Sequence, residues 1–191
     1  MPNRTICHIN DSFPPVTDGV ANAVVNYARV ITESGSTAVV ATPAYPGADD
    51  SALGFPVVRF PSIDMTKLVG YHAGFPFSEK TMKTFMEYPF DLIHCHCPIT
   101  SAVLARELRS RIHVPTVFTY HTKFDIDIAN AIHAKLLQEG AKKLLVDNIS
   151  AFDEVWTVSR GAGENLRSLG YEGDWRVMPN GVDFARGRVP D

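Results

Sequence analysis

Ser12-Phe13-Pro14-Pro15-Val16-Thr17-Asp18-Gly19-Val20-Ala21 joins an apolar run to an amphipathic one, and its reading decides the fold. Before it, Thr5-Ile6-Cys7-His8-Ile9 has the composition of a short buried strand. After it, Val20, Ala23, Val24, Tyr27, Ala28 and Ile31 recur at helical spacing up to the stop at Ser34-Gly35. The two prolines hold the loop out of helix until Thr17 or Asp18, either of which can cap the first turn by accepting a backbone N–H. Gly19 then falls where helix N–H groups and the positive end of the dipole face outward, with no side chain to keep an anion away. Two readings stay open on these ten residues: an anion seat, or only a cap and a tight turn.

Working outward, strand and helix alternate along the chain. Thr37–Ala41 and Pro56–Phe60 read as strands ended by Pro43 and Pro61, and 62–77, with Gly70, Gly74 and Pro76, as an irregular and mobile surface excursion. A short helix from Ser78 to Glu87 carries the stripe Met82, Phe85 and Met86. Phe90–His96 is a strand, Pro98–Arg111 a helix and Val114–His121 a strand. Asp127–Ile149 is a longer helix that Gly140 is expected to kink or split, with Leu136, Leu137, Leu144 and Leu145 among its apolar positions. Asp153–Val158, the helix Arg160–Leu169 and the strand Trp175–Met178 complete the series. Strands linked through helices require right-handed crossovers, hence a parallel sheet covered on both faces: an α/β, doubly wound fold.

Composition bounds the function. The 191 residues suit one domain with a sizeable core, and 45% hydrophobic with 20% charged is ordinary globular usage. A net charge of −3 lacks the basic footprint of a nucleic-acid binder. The start is too short for a signal peptide and no apolar run reaches bilayer-spanning length, so a cytoplasmic location is expected. The three cysteines, Cys7, Cys95 and Cys97, suit reduced thiols better than a disulfide framework.

In a doubly wound sheet ligands bind beyond the carboxyl ends of the strands. There this sequence places Asp18-Gly19, His94-Cys95-His96-Cys97-Pro98, Tyr120-His121-Thr122-Lys123-Phe124-Asp125, Ser159-Arg160-Gly161 and Pro179-Asn180-Gly181-Val182-Asp183. A purely structural sheet has no need of so many polar residues at one edge. Strand alternation lets at most His94 with His96, or Cys95 with Cys97, share an ion, and the spacing matches no familiar zinc pattern. The expectation is no metal, one histidine lining the cleft, and cysteines in the core. His121, just past a strand end, is a ligand contact, whereas Ser159 also reads as a helix cap.

The ordered series Pro15-x-x-Asp18-Gly19-Val20, His94-x-His96-x-Pro98, Tyr120-His121-Thr122, Val158-Ser159-Arg160-Gly161 and Pro179-Asn180-Gly181-Val182-Asp183 resembles the amino-terminal half of family 4 (group 1) retaining glycosyltransferases of GT-B architecture. Within that family it is most similar to branches that glycosylate lipids or phosphoinositol-type acceptors, such as the diacylglycerol glucosyltransferases. The resemblance implies a Rossmann-like acceptor-side domain over 1–183, with 184–191 as the start of a linker and the donor-binding second domain lying beyond. It implies transfer of a sugar from a nucleotide-diphosphate sugar to a lipid, sugar or inositol-type acceptor with retention of configuration, and without metal or other cofactor.

Carried across, Gly19, Ser159 and Asn180 bind the donor, and His121 contacts the transferred sugar as the catalytic residue. Asp18, His96, Tyr120, Thr122 and Asp125 face the acceptor. Asp18 stands where the family has a glycine. Its carboxylate would repel a diphosphate, so it caps the helix or touches an acceptor hydroxyl. Without the second domain the chain is expected to fold but show no turnover. Two other readings remain: a GT-B sugar-nucleotide epimerase, or a non-enzymatic domain binding a sugar, a lipid headgroup or a partner domain. Tyr71, Phe75 and Phe77 near Lys67, Lys80 and Lys83 form an interfacial patch for peripheral membrane contact or pack on the sheet.

Overall fold

A computed structural model describes residues 3–66, 72–121 and 135–181. Its centre is a parallel seven-stranded sheet in the order β3-β2-β1-β6-β7-β8-β9. The strands are β1 (Thr5–Ile9), β2 (Thr37–Pro43), β3 (Val57–Phe60), β6 (Leu92–Cys95), β7 (Thr116–Tyr120), β8 (Glu154–Thr157) and β9 (Arg176–Val177). The helices are α1 (Gly19–Glu33), α2 (Glu79–Met86), α3 (Thr100–Ile112), α4 (Lys135–Ile149) and α5 (Arg160–Ser168).

From β1 the chain winds outward to β3, then returns to β1's other side at β6 and winds the opposite way. Since each crossover is right-handed, this reversal puts α1 on one face and the later helices on the other. Val24 and Ala28 of α1 pack with Phe13, Ala38, Val40 and Phe55. The larger core lies opposite, where Cys7, Ile9, Ile93, Cys95, Phe118 and Tyr120 of the sheet meet Met82, Phe85, Leu104, Leu108, Leu145 and Leu166 of the helices.

At the sheet's amino-terminal edge, carboxylates tie neighbouring strands together. Asp91 accepts from the Thr5 N–H at 2.8 Å, and Asp153 from the Thr116 N–H at 2.8 Å and its hydroxyl at 2.9 Å. The carboxyl edge is left free for loops.

The segment 62–77 departs from the expected irregular excursion. Ser62–Asp64 (β4) and His72–Gly74 (β5) pair antiparallel as a small second sheet. Strands of three residues are too short to show a period. The position of β5 demands glycine: a Cβ on Gly74 would lie 2.2 Å from a Phe60 ring carbon and 2.9 Å from the Thr100 methyl. Three further expectations change. Pro43 closes β2 from inside the strand, and Met86 is exposed at the end of α2. The described helix Lys135–Ile149 runs through Gly140 unbroken, while Leu137 and Leu144 are exposed, so α4's buried face is narrower than its apolar composition suggests. The expected helical start at 127–134 lies outside the described residues, as does the boundary near 183.

Candidate functional site at the topological switch point

The sheet reverses direction between β1 and β6, so the loops after these strands splay apart and open a crevice at their carboxyl ends. The first loop is held firmly. Phe13 is fully buried, and Arg59 of β3 donates to the Pro14 carbonyl at 2.6 Å and the Pro43 carbonyl at 3.2 Å, while Asp50 grips its guanidinium bidentately at 2.7 and 2.8 Å. The loop therefore delivers Asp18 to α1 at a fixed place. Asp18 caps the helix, accepting from the Ala21 N–H at 2.7 Å. Gly19 follows as the first helical residue, exposed, with no heavy atom within 4 Å of where a Cβ would stand. The opposite wall is tied to β1 by Asp11, which accepts from both the N–H and the hydroxyl of Ser101 at 2.9 and 2.7 Å. It thus caps α3, whose own N-cap residue, Ile99, has no side-chain acceptor.

The floor is a row of imidazoles. Because alternate strand residues face opposite ways, His8 of β1 shares one face with His94 of β6 and His96 just beyond it, and His8 lies in register with His94. His8 Nδ1 lies 3.0 Å from His96 Nε2, His96 Nδ1 lies 2.9 Å from His121 Nε2, and His94 Nε2 lies 2.7 Å from the Thr119 hydroxyl. Tyr27 of α1 stacks over His8 and His96, at 6.0 and 5.7 Å between ring centroids. From the far side the loop after β9 brings Asn180, 3.4 Å from His121 Nδ1 and 3.3 Å from the Tyr27 hydroxyl. Burial keeps these rings neutral, lowering the pKa of His8 and of His121 to about 4 and driving those of His94 and His96 well down. The Asp18 carboxylate pulls His121 the other way but does not prevail.

The structure thus brings together Gly19, Asp18, His121 and Asn180, with His96 one layer beneath, only 1% exposed and reaching the cleft through His121. Tyr120 is not among them. Alternation turns it into the core, where its hydroxyl donates to Asn165 at 2.8 Å. Ser159 caps α5, accepting from the Ala162 N–H at 3.1 Å, and stays exposed. Thr122 and Asp125 lie outside the described residues.

Among the described residues, His8, His94 and His96 are the group whose nitrogens gather as metal ligands do, within 4.8 Å. His96, however, already spends both nitrogens on His8 and His121, and His94 spends one on Thr119. Hydrogen bonds therefore reach every ring of the cluster, leaving His8 Nε2 without a partner among the described residues. Cys7 and Cys95 are core residues, and Cys97 is half-buried beside Asp11. The sequence reading overlooked His8, Tyr27 and Asp11. His8 and Tyr27 look like members of apolar stripes, and Asp11 carries no local signal of the helix it caps ninety residues away.

A parallel sheet wound both ways, with polar side chains from several strands converging on its switch point, defines a doubly wound, Rossmann-like ligand-binding domain. The chain belongs to glycosyltransferase family 4, whose family model, Glycosyltransferase Family 4, matches residues 17–186. It is 19% identical over 182 residues to the alpha-monoglucosyldiacylglycerol synthase of Streptococcus pneumoniae, covering 95% of this chain and 41% of that protein. It is 26% identical over 117 residues to the GDP-mannose-dependent alpha-mannosyltransferase of Corynebacterium glutamicum, covering 60% and 28%. The crystal structure of a glycosyltransferase from Rickettsia africae superposes on all of this chain and 47% of its own, with a TM-score of 0.59 at 14% identity. The chain therefore spans less than half the length of the curated relatives it matches.

Proposed function

We propose that this chain is the acceptor-side, amino-terminal half of a retaining hexosyltransferase that moves a sugar from a nucleotide-diphosphate sugar to a lipid, sugar or inositol-type acceptor. The observation that carries the reading is the meeting of Gly19 at a helix N-terminus with His121 and Asn180 at one switch point. The N–H groups and dipole of α1 suit the diphosphate, and Gly19 leaves it room. His121 and Asn180 suit the hydroxyls of the transferred sugar. Asp18 is spent on its cap, and among the described residues no second carboxylate faces it in this cluster. That favours a front-face reaction in which the leaving phosphate takes the acceptor's proton and the protein orients the partners. Among the described residues the cluster supplies no cation, and this reading has the charge on the diphosphate neutralised from a second domain.

The test joins these residues to whatever follows Asp191 in the gene and assays nucleoside diphosphate release from sugar nucleotides, with and without diacylglycerol or inositol acceptors. Acceptor-dependent release with retained anomeric configuration is expected, and none from the 191 residues alone. Epimer formation without acceptor, or ligand binding without product, would replace this reading by an epimerase or a non-enzymatic domain.

A lipid acceptor implies contact with a bilayer surface. No helix of the described residues is long and apolar enough to cross a membrane. Phe75 and Phe77 stand 51% and 61% exposed, in edge contact at 5.8 Å, with Lys80 and Lys83 exposed on the adjoining helix. Exposed aromatics followed by two exposed lysines suit an anionic interface, with the exposed Glu79 and Glu87 acting against it, while Tyr71 and Lys67 lie outside the described residues. The double substitution Phe75→Ser, Phe77→Ser is expected to lower binding to anionic vesicles about tenfold or more in a sedimentation assay, with an unchanged melting temperature. Equal binding by the variant removes this surface from the proposal.

A further inference from the structure

Three imidazoles stand in single file from the interior of the sheet to the cleft. His8 Nδ1 meets His96 Nε2, His96 Nδ1 meets His121 Nε2, and His121 Nδ1 meets the Asn180 carboxamide. The inner end of the file, His8 Nε2, is buried and without a hydrogen-bond partner among the described residues.

A neutral imidazole has one N–H and one lone pair, so each linking ring donates through one nitrogen and accepts through the other. Fixing one ring fixes all three, and two arrangements exist. With every proton pointing outward, His8 donates to His96, His96 donates to His121, and His121 presents Nδ1–H at the cleft. The inner end is then a bare lone pair on His8. With every proton pointing inward, His121 presents a lone pair at the cleft, and His8 Nε2–H is buried with nothing to accept it.

Among backbone groups a buried N–H without an acceptor is the rarer of the two defects, and an imidazole N–H is subject to the same rule. The outward arrangement therefore wins. Asn180 accommodates it by turning its carboxamide over, so that the oxygen accepts from His121 and the amide nitrogen donates to the Tyr27 oxygen, with the heavy atoms in the same places.

We propose that His8 and His96 are positioning residues that hold His121 in its Nδ1–H tautomer, so that at the cleft edge it is a neutral donor, to the Asn180 oxygen or to a ligand's hydroxyl or carbonyl oxygen in its place, rather than a base. Only the nature of that oxygen, a sugar's, rests on the glycosyltransferase reading. Burial supports the neutral state at every link, because moving a proton inward along the file would place a cation in the core. Among the described residues the charged and titratable groups around the file are Asp18 beside His121, His94 beside His8 and His96, and Tyr27 stacked over His8 and His96.

The experiment is two-bond proton–nitrogen correlation NMR on the chain with nitrogen-15 histidine, at a pH above 7 and with no sugar present. In the wild type, His8, His96 and His121 are expected to carry their proton on Nδ1, with Nε2 bare. His8→Asp puts an acceptor-only carboxylate where Nδ1 was, so His96 must donate inward and the His121 Nε2 signal should shift towards the protonated position. His8→Asn, whose amide nitrogen can donate where Nδ1 did, should keep the wild-type pattern. Should His8→Asp fail to fold, the pair His96→Asn and His96→Asp asks the same question: the amide keeps a donor facing His121 and preserves its tautomer, and the carboxylate reverses it. A proton on His121 Nε2 in the wild type, or a His121 signal unmoved when the donor is exchanged for an acceptor, overturns the proposal. Because no turnover is read, that failure leaves the glycosyltransferase reading standing, and an inactive enzyme would leave the tautomer result standing.

Discussion

Between pH 6.5 and pH 4 this domain is expected to lose most of its stability, well before its carboxylates titrate. The folded state holds His8 and His121 neutral down to about pH 4, and His94 and His96 are driven down in the same direction, in each case chiefly because burial disfavours the cation. The unfolded chain has ordinary imidazoles and takes up protons as the pH falls through about 6.5. In this window the unfolded state binds more protons, so stability rises with pH: it is complete above 6.5 and drains away toward 4. A displacement from 6.5 to about 4 corresponds to about 3 kcal/mol per residue for His8 and His121. Two such residues already rival the roughly 5–15 kcal/mol that holds a typical domain together. Asp11 works in the opposite sense, since burial raises its carboxyl pKa against the bonds from Ser101, and it offsets part of the loss. Asp91, held down by the Thr5 N–H, and Asp153, which the Thr116 and Arg109 bonds lower against its own desolvation, contribute stability that fades only below about pH 4. Urea titrations from pH 7.5 to pH 4 check the expectation. A midpoint that falls steeply below pH 6.5 is the predicted result, and one that stays level to pH 4.5 would show that the imidazoles are not held neutral in the folded state.

That imidazole row also marks where the sequence stops being legible. The α/β class, the alternation of elements and the collection of polar loops at one edge follow from periods and breakers that act within a few residues; six of the seven strands of the main sheet lie inside the stretches assigned to them, β2 running on to Pro43, while β4 and β5 were not expected as strands. Asp18 as the cap of α1 and Ser159 as the cap of α5 are local chemistry and equally visible. What makes the cleft is not local. Strand order decides that β1 lies beside β6, and only then does His8 come within 3.0 Å of His96. Tyr27 keeps its place in α1's apolar stripe while its hydroxyl reaches Asn180, 153 residues away. Asp11 reads as a loop residue until α3 arrives to be capped. The same holds for Tyr120, adjacent to His121 in every motif and separated from it by the pleat, which sends one to the core and the other to the cleft edge. The pleat is a sequence-level fact, and applying it to Tyr120-His121 as it was applied to His94-Cys95-His96 would have parted the two.

Substituting Gly19 by valine is expected to leave the fold intact and remove the activity. Glycine at this position is not a packing requirement: a Cβ there would meet no heavy atom within 4 Å, and the backbone is not in the left-handed region that favours glycine. Gly74 is the contrast, since its Cβ would strike the Phe60 ring at 2.2 Å. Valine at an exposed first helical position should therefore change stability by no more than about 0.5 kcal/mol. The same side chain would fill the space in front of the first-turn N–H groups, where the helix dipole makes an anion's approach favourable by up to about 2 kcal/mol. Asp18 already occupies one of those N–H groups and adds a negative charge beside the seat, so a diphosphate there depends on close approach to the backbone at Gly19. Excluding that approach forfeits both the hydrogen bonds and the alignment of the sugar with His121. A loss of at least a hundredfold in turnover, about 2.7 kcal/mol, is expected in the chain extended past Asp191. Gly19→Ala, with a smaller obstruction, should fall between valine and wild type. Melting temperature and turnover measured on the same preparations separate the possibilities. Unchanged melting with lost turnover places the donor at the start of α1. A lowered melting temperature assigns Gly19 to the fold, and full turnover in Gly19→Val moves the diphosphate elsewhere in the cleft.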